Sequence, residues 1–322
     1  MDTHGRRISY LRLSVTDRCN LRCQYCMPAE GVPKLLHTDI LSFEDLLRIA
    51  RAAVSLGIDK IRITGGEPLV RKGLIDFLEH LSAIGGLKEL ALTTNGLMLR
   101  QCAPDLRRAG VDRLNVSLDS LRPDTFATLT RGGDLEKALD GIRAAESAGF
   151  PPVKMNMVVI RGINDSELVD FVALTLNTSR EIRFIEYMPA NSAFDFPSAF
   201  VSGEEILERI GKVYPLEPVA SNGLSGPAKV FRIPGALGTI GVITPMSNHF
   251  CASCNRIRIT ASGVAKGCLF DGGGVSLKPY LSGGDSELQA ALMKVLRDKP
   301  ERHHLLDREK LIMPFSMSEV GG

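Results

Sequence analysis

Strand-like and helix-like segments alternate regularly between Ile8 and about Pro189, and this alternation constrains the fold more than any other feature of the chain. Stretches with helical periodicity separate six short segments rich in β-forming residues: SYLRLSVT, DKIRITG, ELALTTNG, RLNVSLD, VKMNMVVI and EIRFIEYM. The first helix is expected to start at Ser42, whose hydroxyl can form a capping box with Asp45. Further helices are expected over 72–84, 99–109, 134–148 and 166–176. Six strand–helix repeats predict an α/β fold with a parallel sheet, either an open stack or a barrel.

Polar and apolar residues alternate within the first four strands, as in Leu11, Arg12 and Leu13 of the first. Parallel strands covered by helices on both faces would instead read as continuous apolar runs. One face of the sheet should therefore pack on helices, while the other faces water or a polar ligand. A partial barrel with a polar lumen fits this pattern better than an antiparallel sheet, because the connections are of helix length. The sixth strand, with Arg183, Ile185 and Tyr187 on one side, fits the alternation poorly and the sequence does not explain why.

Three cysteines lie close together after the first strand, at Cys19, Cys23 and Cys26 in TDRCNLRCQYCMP. Their thiolates can hold three irons of a four-iron cluster, whereas most such clusters use four cysteines. The fourth iron would then be open to a small molecule, which would make the centre a catalyst. A zinc site would need a fourth ligand nearby, and the nearest candidate is His37, eleven residues on.

The composition of the chain indicates its cellular compartment and argues against one class of partner, nucleic acids. No secretory core and no run of about 18 apolar residues is present, so we expect a cytoplasmic protein without a membrane span. Seven cysteines in such a chain indicate metal ligands more than disulfides. A net charge of +2 disfavours a dedicated nucleic-acid binder, whose basic surface is normally larger.

A second set of three cysteines, Cys251, Cys254 and Cys268, lies near the carboxyl end of the chain. The segment ASGVAKGC is expected to form a hairpin that returns Cys268 towards the other two. Zinc is a serious rival here, because CxxC is a common zinc half-site and His249 precedes it. Cys102 falls in a helical stretch and is expected to be an ordinary core residue.

The GGEP segment, Gly65 to Pro68, follows the second strand. In barrels of this kind the chemistry lies on the loops after the strands, so this segment should share a rim with the first cysteine loop. Two glycines there allow the backbone to pass close to a ligand or to another segment. The segment alone is a weak signal, because it also reads as a tight turn.

The order of these motifs resembles the radical S-adenosylmethionine superfamily, and the whole chain resembles its GTP 3′,8-cyclase family of molybdenum cofactor biosynthesis. The resemblance rests on GRRISYLRLSVTDRCNLRCQYCMP, RITGGEPLVR, LTTNG, NVSLDS, KMNMVV, FIEYMP, FCASCNRIRIT and the terminal Gly321-Gly322. It implies a partial (β/α)6 TIM-like barrel with a smaller C-terminal α+β region. We expect residues 1–218 to carry the barrel and the first cluster, and residues 219–322 the second.

The resemblance also implies the cofactors and their ligands. Two [4Fe-4S] clusters are expected, one on Cys19, Cys23 and Cys26 and one on Cys251, Cys254 and Cys268. S-adenosylmethionine should meet Tyr25, Gly66, Ser117 and Met188. The residues expected to bind GTP are Arg12, Arg62, Thr93, Lys154, Arg256, Ile257 and Arg258, with Lys60 and Arg183 as further candidates. In the family the second cluster binds the purine base, and the terminal double glycine reaches the active site.

The implied reaction is the radical cyclisation of GTP to 3′,8-cyclo-7,8-dihydro-GTP, the first step of molybdenum cofactor biosynthesis. A 5′-deoxyadenosyl radical would remove the ribose 3′ hydrogen, and C3′ would then attack C8 of guanine. The expected partners are an electron donor such as flavodoxin or ferredoxin, and cyclic pyranopterin monophosphate synthase, which would take the product. A monomer or a homodimer is expected.

The basic residues of the strands support a triphosphate substrate independently of the resemblance. A triphosphate carries about four negative charges, and its burial requires paired cations. Arg12 and Arg62 stand among strand-forming residues, where a solvated charge is uncommon. The chain has no GxxxxGK[ST] phosphate loop, so GTP should not be held as in an ordinary GTPase.

Two other functions stay open at this point. One is a two-cluster radical enzyme that modifies a peptide or protein, although such enzymes usually carry more C-terminal cysteines. The other is a non-catalytic iron–sulfur or zinc module that senses redox state.

Overall fold

The protein, as a computed structural model, is described over residues 1–33, 35–191, 193–220, 226–303, 305 and 317. Twelve of its strands form one sheet in the order β12-β11-β10-β1-β2-β3-β4-β5-β6-β9-β8-β7. The strands are β1 Tyr10–Ser14, β2 Lys60–Thr64, β3 Glu89–Thr94, β4 Arg113–Ser117, β5 Lys154–Val159, β6 Glu181–Glu186, β7 Glu217–Val219, β8 Lys229–Arg232, β9 Thr239–Ile243, β10 Arg256–Ile259, β11 Val264–Lys266 and β12 Val275–Ser276.

Helices connect these strands on the outside of the sheet. They are α1 Phe43–Ser55, α2 Leu74–Ser82, α3 Leu99–Arg108, α4 Pro123–Thr130, α5 Leu135–Ser147, α6 Leu168–Ala173, α7 Phe196–Ala199, α8 Gly203–Gly211, α9 Lys278–Leu281 and α10 Asp285–Arg297. The predicted capping box is confirmed, since the Ser42 hydroxyl accepts from the Asp45 backbone N–H at 3.0 Å. None of the described helices is long and apolar enough to cross a membrane.

The six strands β1 to β6 run parallel in sequence order, which confirms the predicted (β/α)6 core. The C-terminal part of the chain adds strands to both edges of this core. The parallel strand β9 extends the sheet beside β6, and the parallel strand β10 extends it beside β1. The antiparallel pairing of β10 with β11 confirms the hairpin that precedes Cys268. The sequence did not predict that one sheet would contain strands from both parts of the chain.

The loop between β9 and β10 has an unusual path. It starts at the carboxyl end of β9 and must reach the amino end of β10, and both strands run parallel to the core. Residues 244–255 therefore cross the gap between the two flanks of the sheet. The first two cysteines of the second set, Cys251 and Cys254, lie on this crossing segment.

The outer face of the sheet carries the apolar core. Leu11, Leu13, Ile61 and Ile63 are fully buried there against the helices. This arrangement confirms the predicted alternation and leaves the polar positions of the same strands on the inner face. Burial of these branched side chains stabilises the fold by roughly 1.5–3 kcal/mol each.

The sixth strand departs from the pattern because Glu186 occupies a buried core-side position. Its carboxylate accepts from the backbone N–H groups of Gly203 at 2.7 Å, Met246 at 2.8 Å and Ser247 at 3.0 Å. The cost of burying the charge is thus offset by hydrogen bonds from two loops. Tyr187 follows the strand and packs edge-on against Phe194, at a ring distance of 5.7 Å.

Candidate active site

The first cysteine loop follows β1 and touches the GGEP segment after β2. The backbone N–H of Gly66 donates to the Thr16 carbonyl at 2.8 Å, and that of Glu67 donates to the Arg18 carbonyl at 2.8 Å. A Cβ on Gly66 would lie 2.3 Å from the Arg18 carbonyl oxygen, so only glycine permits this approach. The two motifs form one backbone-to-backbone unit at the carboxyl ends of β1 and β2, as the sequence predicted.

The three thiols of this loop lie close enough to influence one another. Burial, together with smaller effects of Cys19 and Asp119, raises the pKa of Cys26 to about 12. Burial likewise raises the pKa of Cys23 well above its usual range, with added effects of Asp119, Cys26 and Cys19. Such thiols stay protonated until a metal replaces their protons.

This donor set fits an iron–sulfur cluster. The cluster takes one soft thiolate per iron and spreads its ligands over three irons. Among the described residues, no three His, Cys, Asp or Glu side chains converge on a site for a single metal ion. The first cysteine loop carries three free thiols within eight residues, which matches a four-iron cluster that leaves one iron without a protein ligand.

Of the residues expected at S-adenosylmethionine, Tyr25 belongs to this loop and Gly66 contacts it through its backbone. The Tyr25 hydroxyl donates to Asp119 Oδ2 at 2.7 Å, while Asp119 Oδ1 accepts from the Val158 backbone N–H at 2.8 Å. Ser117, the last residue of β4, is half-buried on the inner face. Met188 packs against the same apolar cluster as Cys26 and Cys268, and it lines the cavity described next.

A cavity of about 450 Å³ fills the lumen of the barrel. This volume is typical of a site for a small molecule. Among the described residues, its lining carries nine lysines and arginines but only two carboxylates, and the second cysteine set closes one side. The basic residues are Arg12, Lys60, Arg62, Arg113, Lys154, Arg183, Arg256, Arg258 and Lys299. The lumen is therefore built for a polyanion.

Strand register explains why three guanidinium groups meet. Arg12 in β1 lies directly opposite Arg62 in β2 on one side and Arg258 in β10 on the other. Adjacent strands are about 4.8 Å apart, so the three side chains share one level of the lumen. Burial and then Arg258 lower the pKa of Arg12 well below its usual range. A bound anion would remove this mutual repulsion.

Tyr10 lies one level below, between Lys60 and Arg256 in the same register. Its hydroxyl is hydrogen-bonded to Arg62 Nε, and the Lys60 ammonium lies 5.0 Å from the ring centroid. Burial raises the pKa of Tyr10, but Arg62, Arg12, Lys60 and Arg256 more than offset this and lower it to about 7. The phenol thus titrates near neutrality because of the surrounding cations.

The two carboxylates of the lining are the first residues of strands, and each binds two cations. Glu89 pairs with Lys60 at 2.7 Å and Arg113 at 3.4 Å. Glu181 pairs with Lys154 at 2.7 Å and Arg183 at 2.5 Å. These clusters fix the lysines at the amino ends of the strands and reduce the repulsion among the basic groups.

The second cysteine set adjoins this cavity. Cys251 and Cys254 lie on the crossing segment, and Cys268 follows β11, so the three thiols come from two separate loops. Burial raises the pKa of Cys254, but Arg256 and Lys299 more than offset this and lower it to about 6. Burial raises the pKa of Cys268. Because β10 begins directly after Cys254, this set lies towards the amino end of β10, whereas the first set lies at the carboxyl end of β1.

The structure places eight of the nine predicted GTP-binding residues in the lining of the cavity. Ile257 is the exception, because it alternates with Arg256 and Arg258 and its side chain is buried in the apolar core. Cys102 is half-buried against the same core. Gly321 and Gly322 lie outside the described residues.

The sequence analysis missed several lining residues. Arg113, Glu89 and Glu181 follow the same period-two pattern as Arg12, so the signal was present in the alternation. Tyr10 is the first residue of β1 and shares the face of Arg12. Lys299 and His303 follow α10, in a segment without a strand or helix pattern that would have indicated the cavity.

Comparison with known proteins places the chain among radical enzymes. Residues 13–175 match the family model of the radical SAM superfamily, and residues 180–305 match the family model described as Molybdenum Cofactor Synthesis C. A GTP 3′,8-cyclase of Geobacter sulfurreducens is 59% identical over 323 residues, spanning 100% of this chain and 99% of the relative. A GTP 3′,8-cyclase of Moorella thermoacetica is 47% identical with the same coverage of both chains.

Solved structures show the same fold at lower identity. Streptococcus suis SuiB, in complex with the precursor peptide SuiA, has a TM-score of 0.61 at 15% identity. The match covers 92% of this chain and 66% of SuiB. At this identity the likeness supports the fold alone, so it does not favour peptide modification over the activity of the full-length relatives.

Proposed function

This chain belongs to the GTP 3′,8-cyclase family of radical S-adenosylmethionine enzymes, and we propose that the basic lumen of its barrel holds GTP between two iron–sulfur clusters. The enzyme converts GTP to (8S)-3′,8-cyclo-7,8-dihydroguanosine 5′-triphosphate, the first step of molybdenum cofactor biosynthesis. It uses [4Fe-4S] clusters and S-adenosylmethionine. The observation that carries the assignment of the site is the register of Arg12, Arg62 and Arg258 inside the lumen.

We assign the triphosphate to this level of the cavity. Arg12, Arg62 and Arg258 offer planar donors that match phosphate oxygens, and Lys154 adds a compact charge from the opposite part of the sheet. The chain does not need to hydrolyse the phosphates, so a ladder of cations is sufficient to orient the nucleotide. The Thr93 hydroxyl, 3.4 Å from Arg62 Nη1, would help hold that guanidinium in place.

Each cysteine set would hold one cluster by three thiolates. Cys19, Cys23 and Cys26 would hold the first beside Tyr25, Gly66 and Ser117; Cys251, Cys254 and Cys268 would hold the second beside the base of GTP. When bound, the reduced first cluster and S-adenosylmethionine supply the 5′-deoxyadenosyl radical that starts the ring closure. Met188 and the apolar cluster around it would exclude water between the two ends of the lumen.

Turnover under strictly anaerobic conditions tests this function. Reduced enzyme with S-adenosylmethionine and GTP should yield 5′-deoxyadenosine and the cyclic product in equal amounts. Replacing GTP by ATP should stop product formation, because the second centre would not accept the other base. Recovery of both GTP and S-adenosylmethionine unchanged from cluster-loaded enzyme would contradict the proposal.

The affinity for GTP should depend on pH through Lys154. Burial and the neighbouring Arg183 lower the pKa of Lys154 to about 8, against the opposing effect of Glu181. Only the ammonium form attracts phosphate, so the dissociation constant for GTP should rise as pH increases through about 8, by up to about tenfold per pH unit. Titrations between pH 7 and pH 9.5 at constant ionic strength measure this dependence.

Two variants isolate the contribution of Lys154. Lys154→Met should bind GTP more weakly at pH 7, and its dissociation constant for GTP should no longer rise above pH 8. Lys154→Arg should stay charged and keep the same affinity for GTP over this range. Tyr10→Phe serves as the matched control, because Tyr10 titrates nearer pH 7. An unchanged slope above pH 8 in Lys154→Met would show that another group titrates there.

The remaining assignments are also proposals. Residues 1–218 would act as the radical-generating unit and residues 219–322 as the unit that holds the base, which the positions of the two cysteine sets support. A one-electron donor such as flavodoxin or ferredoxin would reduce the first cluster, and cyclic pyranopterin monophosphate synthase would take the product. A monomer or homodimer in the cytoplasm is proposed, and seven cysteines without a disulfide support a reducing compartment.

A further inference from the structure

The two loops that carry the second cysteine set are joined by residues 299–301, which no motif had singled out. Cys251 lies on the crossing segment and Cys268 follows β11. The short stretch after α10 contacts the Cys268 loop directly and is linked to the Cys251 loop through Arg6. This stretch therefore sets how the two loops stand relative to each other.

Arg6 makes the connection to the Cys251 loop. Its Nη1 donates to the carbonyls of Cys251 at 2.8 Å and Glu301 at 3.0 Å, while Nη2 donates to the Pro300 carbonyl at 2.8 Å. The Asp2 carboxylate accepts a further hydrogen bond from Arg6 Nε at 2.6 Å. The guanidinium thus ties the crossing segment to residues 299–301 with most of its donors in use.

Lys299 makes the connection to the Cys268 loop. Its side chain is buried, with 3% of the residue exposed, and its ammonium donates to the Gly267 carbonyl at 2.6 Å. A Cβ on Gly267 would lie 3.0 Å from the Lys299 Cα, so the two backbones are in direct contact. The ammonium is fixed one residue away from Cys268.

The charge of Lys299 faces the cysteines. No carboxylate pairs with it among the residues that the structure describes, and it lines the cavity together with Cys251, Cys254 and Cys268. It is close enough to act electrostatically on both Cys254 and Cys268. A buried ammonium needs a nearby anion, and three thiolates around an iron centre supply one.

We propose that Lys299 is a positioning residue of the second centre, and that its fixed positive charge makes this centre easier to reduce. The inference rests on the proposed function, in which Cys251, Cys254 and Cys268 hold a four-iron cluster. Reduction adds one electron from an external donor, breaks no bond and makes the centre more negative. A buried cation beside it therefore stabilises the reduced form more than the oxidised form.

A redox titration of the isolated second centre tests the inference. The full-length chain with Cys19→Ser, Cys23→Ser and Cys26→Ser carries only this centre, and dithionite serves as the one-electron donor. Lys299→Met should lower the ratio of reduced to oxidised centre at a fixed potential by about tenfold, which corresponds to about 59 mV, measured by electron paramagnetic resonance. Lys299→Arg, which keeps the charge, should stay within about twofold of the parent protein.

Lys294→Met is the matched control, because it removes the same charge from an exposed position on α10. It should leave both the iron content and the ratio unchanged. Loss of iron from Lys299→Met with retention in Lys299→Arg would also support the inference, since charge would then be required to hold the centre.

Two results would overturn the inference. The first is full iron content in Lys299→Met together with a ratio of reduced to oxidised centre within about twofold of the parent protein. The second is an equal loss of iron from Lys299→Met and Lys299→Arg. If the parent protein itself contains no iron centre, the proposed function fails instead, so the two failures are distinguishable.

Discussion

Replacing Cys23 by serine should abolish both cleavage of S-adenosylmethionine and conversion of GTP, with a fall in rate of at least about 10⁶-fold. Serine is too weak a ligand for iron, and the first cluster then lacks one of its three thiolates. The two half-buried neighbours Cys19 and Cys26 would be left without a shared centre. Without the radical, positioning of GTP cannot start the ring closure. Product analysis by mass spectrometry under anaerobic conditions measures both losses.

Cys102→Ser provides the control for this variant. Cys102 is half-buried on α3, packs against the apolar core and belongs to neither cysteine set. It should keep full activity and about eight irons per chain, whereas Cys23→Ser should retain about four in the second centre. Equal activity in the two variants would mean that the first cysteine loop holds no catalytic cluster.

Replacing Arg12 by alanine should weaken GTP binding by at least about 30-fold, which corresponds to a loss of about 2 kcal/mol or more. Arg12 lies opposite Arg62 on one side and Arg258 on the other, so its loss removes the middle of the proposed phosphate site. S-adenosylmethionine should still be cleaved without product, because the first cysteine loop is untouched. Equilibrium binding of GTP and the ratio of 5′-deoxyadenosine to cyclic product measure the two effects.

Arg7→Ala is the matched control for Arg12→Ala. Arg7 lies five residues before Arg12, and replacing it removes the same charge. Its side chain is 68% exposed and pairs with Asp59 outside the cavity. It should bind GTP within about twofold of the unmodified enzyme. If both variants lose affinity alike, net charge and not the lumen would account for GTP binding.

The period-two pattern of the strands predicted the polar lumen, because strands packed on one face must alternate. Leu11 and Leu13 face the helices and Arg12 faces the cavity, as the sequence required. The same alternation places the side chain of Ile257 on the opposite face from Arg256 and Arg258. Ile257 was included among the predicted GTP-binding residues only because all three residues of the family motif were carried over together. The alternation would also have added Arg113, Glu89 and Glu181. These residues could therefore have been predicted from the alternation alone.

Other features depend on contacts between distant parts of the chain, and no local pattern reports them. The pairing of β10 with β1 joins residues 246 positions apart, and this pairing brings Arg258 beside Arg12. The role of Glu186 depends on backbone N–H groups from loops near Gly203 and Met246. Lys299 follows a helix in a segment without periodicity. Its place beside Cys268 is set by packing on Gly267.

Helix α4 was missed for a different reason. Its first residue, Pro123, is a recognised start signal, because proline is favoured in the first turn of a helix. Thr128 and Thr130 lower the helical propensity of the segment, and the sequence analysis predicts no helix there. Packing of Phe126 and Leu129, both fully buried, stabilises the helix in the folded protein.

Electron paramagnetic resonance of anaerobically prepared, reduced enzyme with and without GTP measures the central claim most directly. We expect two distinct four-iron signals of equal intensity, of which only the one assigned to Cys251, Cys254 and Cys268 changes when GTP is added. A single four-iron signal, or two signals that GTP leaves unaltered, would contradict the placement of the nucleotide between two open clusters.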